Sequence, residues 1–488
     1  MNTPKILFVA SEAYPLIKTG GLGDVAGSLP AALQSLGADI RLLLPAYHDV
    51  TARVGKLKTI ATLTIPGLEM PVRILEGRMP DAPVLVWLVD FPPAFDRPGN
   101  PYLNANGQPW TDNAMRFALF ARVAVLIGLG QAQLTWQPDI VHCHDWQTGL
   151  VPALLSLEKK RPATVFTIHN LAYQGLFSHK TFTALGLPTA FWSHTALEFH
   201  QQMSFIKGGL VFADRLTTVS PTYAREIQTA EFGCGLDGLL RHRAKQLTGI
   251  LNGIDKHEWD PARDPLIAKP YSTRRLADKL ANKLALQQEF SLANEPQTAL
   301  IGMVGRLVSQ KGIDLILETL PGIMHRPLQL AILGSGETGY ESALLAQAAR
   351  FPGQLAVRIG YDERLAHLIE AGSDMFLMPS HFEPCGLNQL YSLRYGTVPI
   401  VRNVGGLADT VVDASEKNLA AGYATGIVIK ASRASEMLAA VDRALVLFQD
   451  SKRWKQMMLA GMNQDFSWSR SAGQYLALYD QIQSRRNH

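Results

Sequence analysis

The sequence predicts an α/β protein made of two doubly wound parallel sheets joined by one linker. Three observations carry that reading. Short runs rich in apolar and β-branched residues alternate with longer helical patterns along most of the chain. Several of those runs are almost continuously apolar, as strands buried on both faces of a parallel sheet should be. The alternation lapses once, around residues 256–298, and then restarts. At 488 residues and 47% hydrophobic the chain is too long for one core; a domain of about 150 residues gives roughly three units, with two large ones equally admissible.

In order, the first half offers strands at KILFVAS, DIRLLLP, VLVWLVD, DIVHCHD, TVFTIHN, RLTTVS and LTGILN. Helices fall between them. The segment DVAGSLPAALQSLG should end at Gly37, because glycine readily takes the left-handed conformation that closes a helix. The stretch HEWDPARDPLIAKPYS is dense in proline and charge and breaks the pattern, and a polar helical stretch follows it to about ANEPQ. A boundary is therefore expected near residue 255. Beyond it come TALIGMVG, LQLAILG, LAVRIG, DMFLMP, TVPIVRN and TGIVIK, each followed by a helical segment. The tail WKQMMLAGMNQDFSWSRSAGQYLALYDQIQ is helical in pattern. In folds of this class, ligands bind outside the carboxyl ends of the strands.

Composition narrows the partners. The formal charge is +4, spread without a lysine or arginine block, which argues against nucleic acid and anionic membranes and suits a small anionic ligand. No run approaches the ~18 apolar residues that span a bilayer. The opening MNTPKILFVAS is broken by Ser11 and Glu12 and lacks a small-residue cleavage pattern, so no signal peptide is expected. Three widely spaced cysteines, Cys143, Cys234 and Cys385, suggest reduced thiols and the cytoplasm.

The chemistry-bearing stretches stand at predicted strand ends. KTGGLGD, residues 18–24, places Lys18 before Gly20, Gly21 and Gly23. Their amides could meet a phosphate beside the lysine charge, or the stretch could be a tight turn with a surface lysine. A Walker loop is excluded, since there the lysine follows the glycines. GRLVSQKG, residues 305–312, carries Arg306 and Lys311, which read either as a diphosphate clamp or as solvated loop charges. LGSGETG, residues 333–339, spells G-x-G-x-x-G, but the next strand, LAVRIG, lacks the acidic residue that a dinucleotide site wants.

HFEPCGLNQLYSLRYG, residues 381–396, sets Glu383 before Pro384 and an amphipathic helix whose positive end would face the site. Glu383 there could hold sugar hydroxyls or merely cap the helix. Cys385 reads as a packed thiol rather than a nucleophile, having no adjacent histidine. VHCHDWQTG and TIHNLAYQG bring His142, His144, Asp145 and His169 to strand ends. His142 and His144 share a strand face as zinc ligands could, yet no further ligand follows at metal-site spacing, so no metal is expected there. Asp145 and His169 read as polar groups lining a cleft or as core-edge residues.

Taken together and in order, KTGGLGDV, HCHDW, FTIHNLAYQG, TTVSPTYAREI, LNGID, GRLVSQKG, HFEPCGLNQLYSLRYGTVPIVRNVGGLADTV and DFSW resemble bacterial glycogen synthases, the retaining glucosyltransferases related to plant starch synthases. The resemblance runs essentially end to end. Where some relatives have GGLAD the loop reads GGLGD, a change expected to be silent.

The resemblance implies the GT-B fold, two Rossmann-like domains facing across a deep cleft, over residues 1–255 and 256–460. It also implies a last segment, 461–488, whose helix returns to the first domain. The first domain would serve the acceptor, the second the nucleotide sugar, and closure of the two would exclude water. The implied reaction moves glucose from ADP-glucose to the nonreducing 4-hydroxyl of an α-1,4-glucan, glycogen or a maltooligosaccharide primer, without cofactor or metal.

By the same resemblance Lys18, Arg306 and Lys311 contact the diphosphate, with Gly20 and Gly21. Glu383 lies by the transferred glucose, and Asp145 and His169 lie on the acceptor and glucose sides. Asn252, Tyr102, Tyr361, Cys385 and Gly386 line the site. Rival readings are a UDP-glucose transferase such as a sucrose synthase, a phosphorylase, and an inactive glucan-binding protein.

Overall fold

The computed structural model describes residues 3–486, which divide into two compact units. The first holds the chain up to Gly253 together with the segment from Trp468 onward; the second is Ile254–Ser467.

The strands of the first unit are β1 (Lys5–Val9), β2 (Asp39–Pro45), β3 (Lys58–Leu63), β4 (Val72–Arg78), β5 (Leu85–Asp90), β6 (Ile140–His144) and β7 (Ala163–Ile168), followed by β8 (Leu176–Ser178), β9 (Glu198–Phe199), β10 (Gln202–Ser204), β11 (Arg215–Thr218) and β12 (Leu247–Gly249). Nine of these form one sheet in the order β12-β11-β7-β6-β1-β2-β5-β4-β3, while β8, β10 and β9 form a small antiparallel sheet. From β12 to β5 every pairing is parallel; β4 and β3 extend the edge antiparallel. The central strand explains the order. Ile6, Leu7, Phe8 and Val9 are wholly buried, so both faces of β1 must be covered and both its edges paired. It pairs with β2 on one side and β6 on the other, so the sheet reverses direction between β1 and β6. That reversal opens a crevice at the carboxyl ends of the two strands.

The second unit repeats the plan with β13 (Ala299–Val304), β14 (Leu328–Gly334), β15 (Leu355–Ile359), β16 (Met375–Met378), β17 (Val398–Arg402) and β18 (Ile427–Ile429). All six are parallel, in the order β15-β14-β13-β16-β17-β18, with the reversal between β13 and β16. Alternate residues feed opposite faces. Ile301, Ile332 and Ile400 join Ile313, Ile316 and Leu320 of the helix Ile313–Met324 in one core. Leu300, Leu333 and Val401 meet Leu365 and Ile369 of the helix Glu363–Gly372 in the other.

Every run read as a strand is one, and both sheets are doubly wound. The β3–β4 pair and the small sheet are additions. The tail is two helices, Ser451–Met462 and Trp468–Arg486, and only the latter belongs to the first unit. One expectation fails: no helix starts at Pro384. Residues 383–387 form a loop and the helix is Asn388–Arg394. Gly386 takes a φ of +72°, a left-handed turn that an α-helix cannot contain. No described helix is long and apolar enough to cross a membrane.

Candidate active site

In the second unit the loops after β13 and β16 meet at the reversal point. After β13 the chain passes through Gly305 and Arg306 into the short turn Ser309–Lys311 and then the helix Ile313–Met324. After β16 it passes through Ser380 to Gly386. Backbone and side-chain bonds lace the two loops: His381 N–H donates to Gln310 O (2.9 Å), Gln310 Nε2 to Phe382 O (3.3 Å) and Asn388 Nδ2 to Val304 O (2.6 Å).

Within this frame Lys311 Nζ donates to Glu383 Oε2 at 2.5 Å, and Ser380 Oγ donates to the same oxygen at 3.1 Å. Glu383 is 5% exposed, a carboxylate set in place by an ammonium and a hydroxyl. Arg306 Nη2 donates to Gln310 Oε1 (3.2 Å), which holds a second cation on the same loop as Lys311. Behind them the turn Gly405–Gly406 presses on the Glu383–Cys385 backbone, and Gly406 N–H donates to Glu383 O (3.1 Å) and Pro384 O (3.2 Å). Cys385 is a buried thiol, as is Cys143, whereas Cys234 is exposed. Tyr361 stands apart, 73% exposed on the turn after β15, two strands away from β13.

In the first unit the loop after β1 is organised by a residue that the sequence reading passed over. Glu12, 3% exposed, accepts hydrogen bonds from Thr19 N–H, Thr19 Oγ1 (2.7 Å) and Gly20 N–H (3.3 Å), and from the Tyr102 hydroxyl. Tyr102 also shares a hydrogen bond with Ser11 Oγ at 2.8 Å. Burial raises the pKa of Glu12 above the ordinary carboxylate range and that of Tyr102 well above the phenol range. The glycine loop is therefore a cradle around a buried carboxylate: the Gly20 amide is spent on Glu12, and Gly23 N–H donates to Gly20 O (3.1 Å). Lys18 Nζ donates to Asp24 Oδ1 at 2.6 Å and lies over the Tyr14 ring. A signal for Glu12 was present in the sequence, as a serine and a carboxylate set directly behind a continuous apolar strand.

At the end of β6, Asp145 adopts φ 55° and ψ −176°, a region rarely occupied by residues with a side chain; such strain persists where the surroundings impose it. Its Oδ1 accepts His169 N–H (2.7 Å) and Asn170 N–H (3.4 Å), and burial lifts its pKa to about 7. His169 Nε2 shares a hydrogen bond with His144 Nδ1 at 3.0 Å. The His144 ring stacks on Phe8 and neighbours His142, which hydrogen-bonds Thr167 Oγ1 (2.6 Å) and the Tyr479 hydroxyl (2.8 Å) of the C-terminal helix. Burial lowers the pKa of His142 and of His169 to about 3, and that of His144 well below the usual value, so all three rings are neutral at pH 7. The alternation of His142 and His144 thus builds a buried polar chain. His144 Nε2 and Asn252 Oδ1 are buried without a hydrogen-bond partner.

Comparison with known proteins bears on this arrangement. Residues 5–242 match the family described as starch synthase catalytic domain, and residues 286–457 match glycosyl transferases group 1. The chain is 56% identical over 481 residues to "Glycogen synthase 2" of Nitrosococcus oceani, covering 99% of this chain and 98% of that protein. It is also 56% identical over 475 residues to "Glycogen synthase 1" of Methylococcus capsulatus, with 97% and 96% covered. Among solved structures, the catalytic domain of Starch Synthase IV from Arabidopsis thaliana, bound to ADP and acarbose, superposes with a TM-score of 0.88 at 33% identity over 98% of this chain and 99% of that one.

Proposed function

The chain belongs to the starch and glycogen synthase family, a family of hexosyltransferases, and on that premise we propose how its own residues carry out the transfer. The reaction moves glucose from ADP-glucose to the nonreducing-end 4-hydroxyl of an α-1,4-glucan, with the α configuration kept. The observation that carries this assignment is the grouping of Arg306, Lys311 and Glu383 at the reversal point of the second sheet, with Lys311 Nζ 2.5 Å from Glu383 Oε2.

As the donor's anomeric C–O bond breaks, its electron pair goes to the β-phosphate oxygen and the sugar passes through an oxocarbenium-like state. Negative charge grows on the departing diphosphate. Cations already in place stabilise that state more than the bound substrate, which is the condition for acceleration rather than mere binding. Arg306 and Lys311 are assigned that role, joined by Lys18; Gly21 offers the diphosphate its amide, and Gly20, whose amide is given to Glu12, contributes only the close approach of a backbone without a side chain. Glu383, fixed by Lys311 and Ser380, holds hydroxyls of the transferred glucose. The acceptor hydroxyl attacks from the face the diphosphate leaves and gives its proton to the departing phosphate oxygen, so configuration is kept.

Asp145, His169 and Tyr102 serve the glucose and acceptor. His169, neutral at working pH, acts there through hydrogen bonds rather than charge. Asn252, Cys385 and Gly386 line the donor site, with Tyr361 at its outer edge on the turn after β15, and Asn252 brings to it a buried oxygen with bonding capacity to spare. The acceptor is glycogen or a maltooligosaccharide primer and the compartment is the cytoplasm. The test is ADP release measured with glycogen, comparing ADP-glucose with UDP-glucose. Release that depends on glycogen and is faster with ADP-glucose is expected; no glycogen-dependent release from either donor would contradict the assignment.

A further inference from the structure

Outside the transfer machinery, the start of the second unit holds a set of donor atoms with no assigned use. His367 lies in the helix Glu363–Gly372 and is 1% exposed. Its Nδ1 is 2.8 Å from Asp264 Oδ2. Asp264 has a fully buried side chain, and its carboxylate also accepts the Tyr395 hydroxyl (2.6 Å) and Leu266 N–H (2.8 Å). Nδ1 is the ring nitrogen committed to this carboxylate, which leaves Nε2. That Nε2 is buried without a hydrogen-bond partner.

One carboxylate oxygen of Glu258, one of Glu363 and a ring nitrogen of His367 all lie within 4.8 Å of one another. Since Nδ1 is committed to Asp264, Nε2 is the nitrogen left for this group. An imidazole nitrogen beside two carboxylate oxygens is a donor set that a divalent cation can share. The local structure supports that geometry. Glu363 and His367 are four residues apart and so share a helix face. Trp259, next to Glu258, stacks on His367 (centroids 3.8 Å, 17°) and on Tyr391 (3.7 Å, 8°). Stacking covers the face of the imidazole and leaves its Nε2 edge to a ligand. Both glutamates are partly exposed, which gives a cation a way in from solvent.

We propose that Glu258, Glu363 and His367 Nε2 bind one divalent transition-metal cation, with Asp264 as the outer carboxylate that orients the imidazole. Mixed imidazole and carboxylate donors suit Zn²⁺ rather than Mg²⁺, which favours all-oxygen sites. An outer carboxylate on the second ring nitrogen is the usual support of a metal-bound histidine. The cation would clip the segment that opens the second unit to the helix that follows Tyr361.

The test uses the full chain, stripped with chelator and titrated with ZnCl₂ by calorimetry, with bound metal counted after gel filtration. Because His367 is buried, its replacement could unfold the unit; the Glu258→Gln/Glu363→Gln double variant is used instead, with glycogen-dependent ADP release confirming that it is folded. One Zn²⁺ per wild-type chain is expected, with affinity at least about tenfold weaker in the double variant and a Zn²⁺-induced rise in unfolding temperature only in the wild type. No stoichiometric site in the wild type, or one that keeps its affinity in the double variant, as adventitious binding to surface histidines would, overturns the proposal.

Discussion

Glu12 sets the shape of the glycine loop through one buried carboxylate, since Thr19, Gly20 and Tyr102 all donate to it. Glu12→Gln keeps the size but replaces one acceptor oxygen by a donor, so an N–H or O–H loses its partner. A hydrogen bond to a charged group contributes roughly 1.5–3 kcal/mol, and the specificity constant for ADP-glucose is expected to fall by about tenfold or more. Steady-state kinetics, with urea unfolding as a check on the fold, decide the point; an unchanged constant would mean that the loop holds its shape without the carboxylate.

Single residues were unevenly legible in the sequence. Lys311 and Glu383 stood out because each sits in a polar stretch behind an apolar strand, and the fold brings them to 2.5 Å. Glu12 was marked only by its place behind β1; its partnership with Tyr102, 90 residues away, leaves no local pattern. The link from His169 through His144 was hidden for the same reason.

Among elements, the loop after β16 depends on the turn that opens the helix Gly405–Thr410. A Cβ on Gly405, which has φ +44°, would stand 1.9 Å from Glu383 O, and one on Gly406 would stand 2.1 Å from Cys385 O. Both contacts are with backbone, which cannot turn aside as a side chain could. Gly406→Ala is therefore expected to cost about 1–3 kcal/mol of stability, as overpacking does, and to lower turnover by displacing Glu383. Thermal unfolding and turnover measured together test this; wild-type values of both would show slack in the loop.

Elements were legible where burial wrote a nearly unbroken apolar run, as in β1, β14 and β17. The β3–β4 pair escaped because β3 has a single fully buried residue and β4 carries Arg73, Glu76 and Arg78 among its residues, and the strands of the small sheet have only two or three residues each. The late start of the helix Asn388–Arg394 reflects the left-handed Gly386 and the Gly405–Gly406 packing, which no local reading of HFEPCGLNQ supplies.

Over the whole molecule, the chain ends by returning to the first unit. Tyr475 and Tyr479 of the helix Trp468–Arg486 are buried there, Ser471 Oγ donates to Leu251 O (2.6 Å), and Tyr479 reaches His142. The buried histidines make this unit sensitive to acid. Their folded pKa values lie below the unfolded value of 6.5, so the stability they confer is complete above pH 6.5 and is lost as pH falls toward about 3. Asp145 and Glu12, raised by burial, act in the opposite sense, losing stability as pH rises from the unfolded carboxylate range, toward about 7 for Asp145. His142→Asn removes one histidine from this balance. Between pH 6.5 and 5 its unfolding free energy should fall less steeply with acid than that of the wild type, by up to ~1.4 kcal/mol per pH unit. Urea titrations at a series of pH values check it; parallel slopes would mean that His142 takes up its proton in the folded state.

The catalytic proposal comes down to a positive charge waiting where the diphosphate departs. In Lys311→Ala, glycogen-dependent ADP release should drop by about 10², or ~3 kcal/mol, while glycogen affinity stays that of the wild type. Turnover within about threefold of the wild type, at normal stability, would contradict the role given to this lysine.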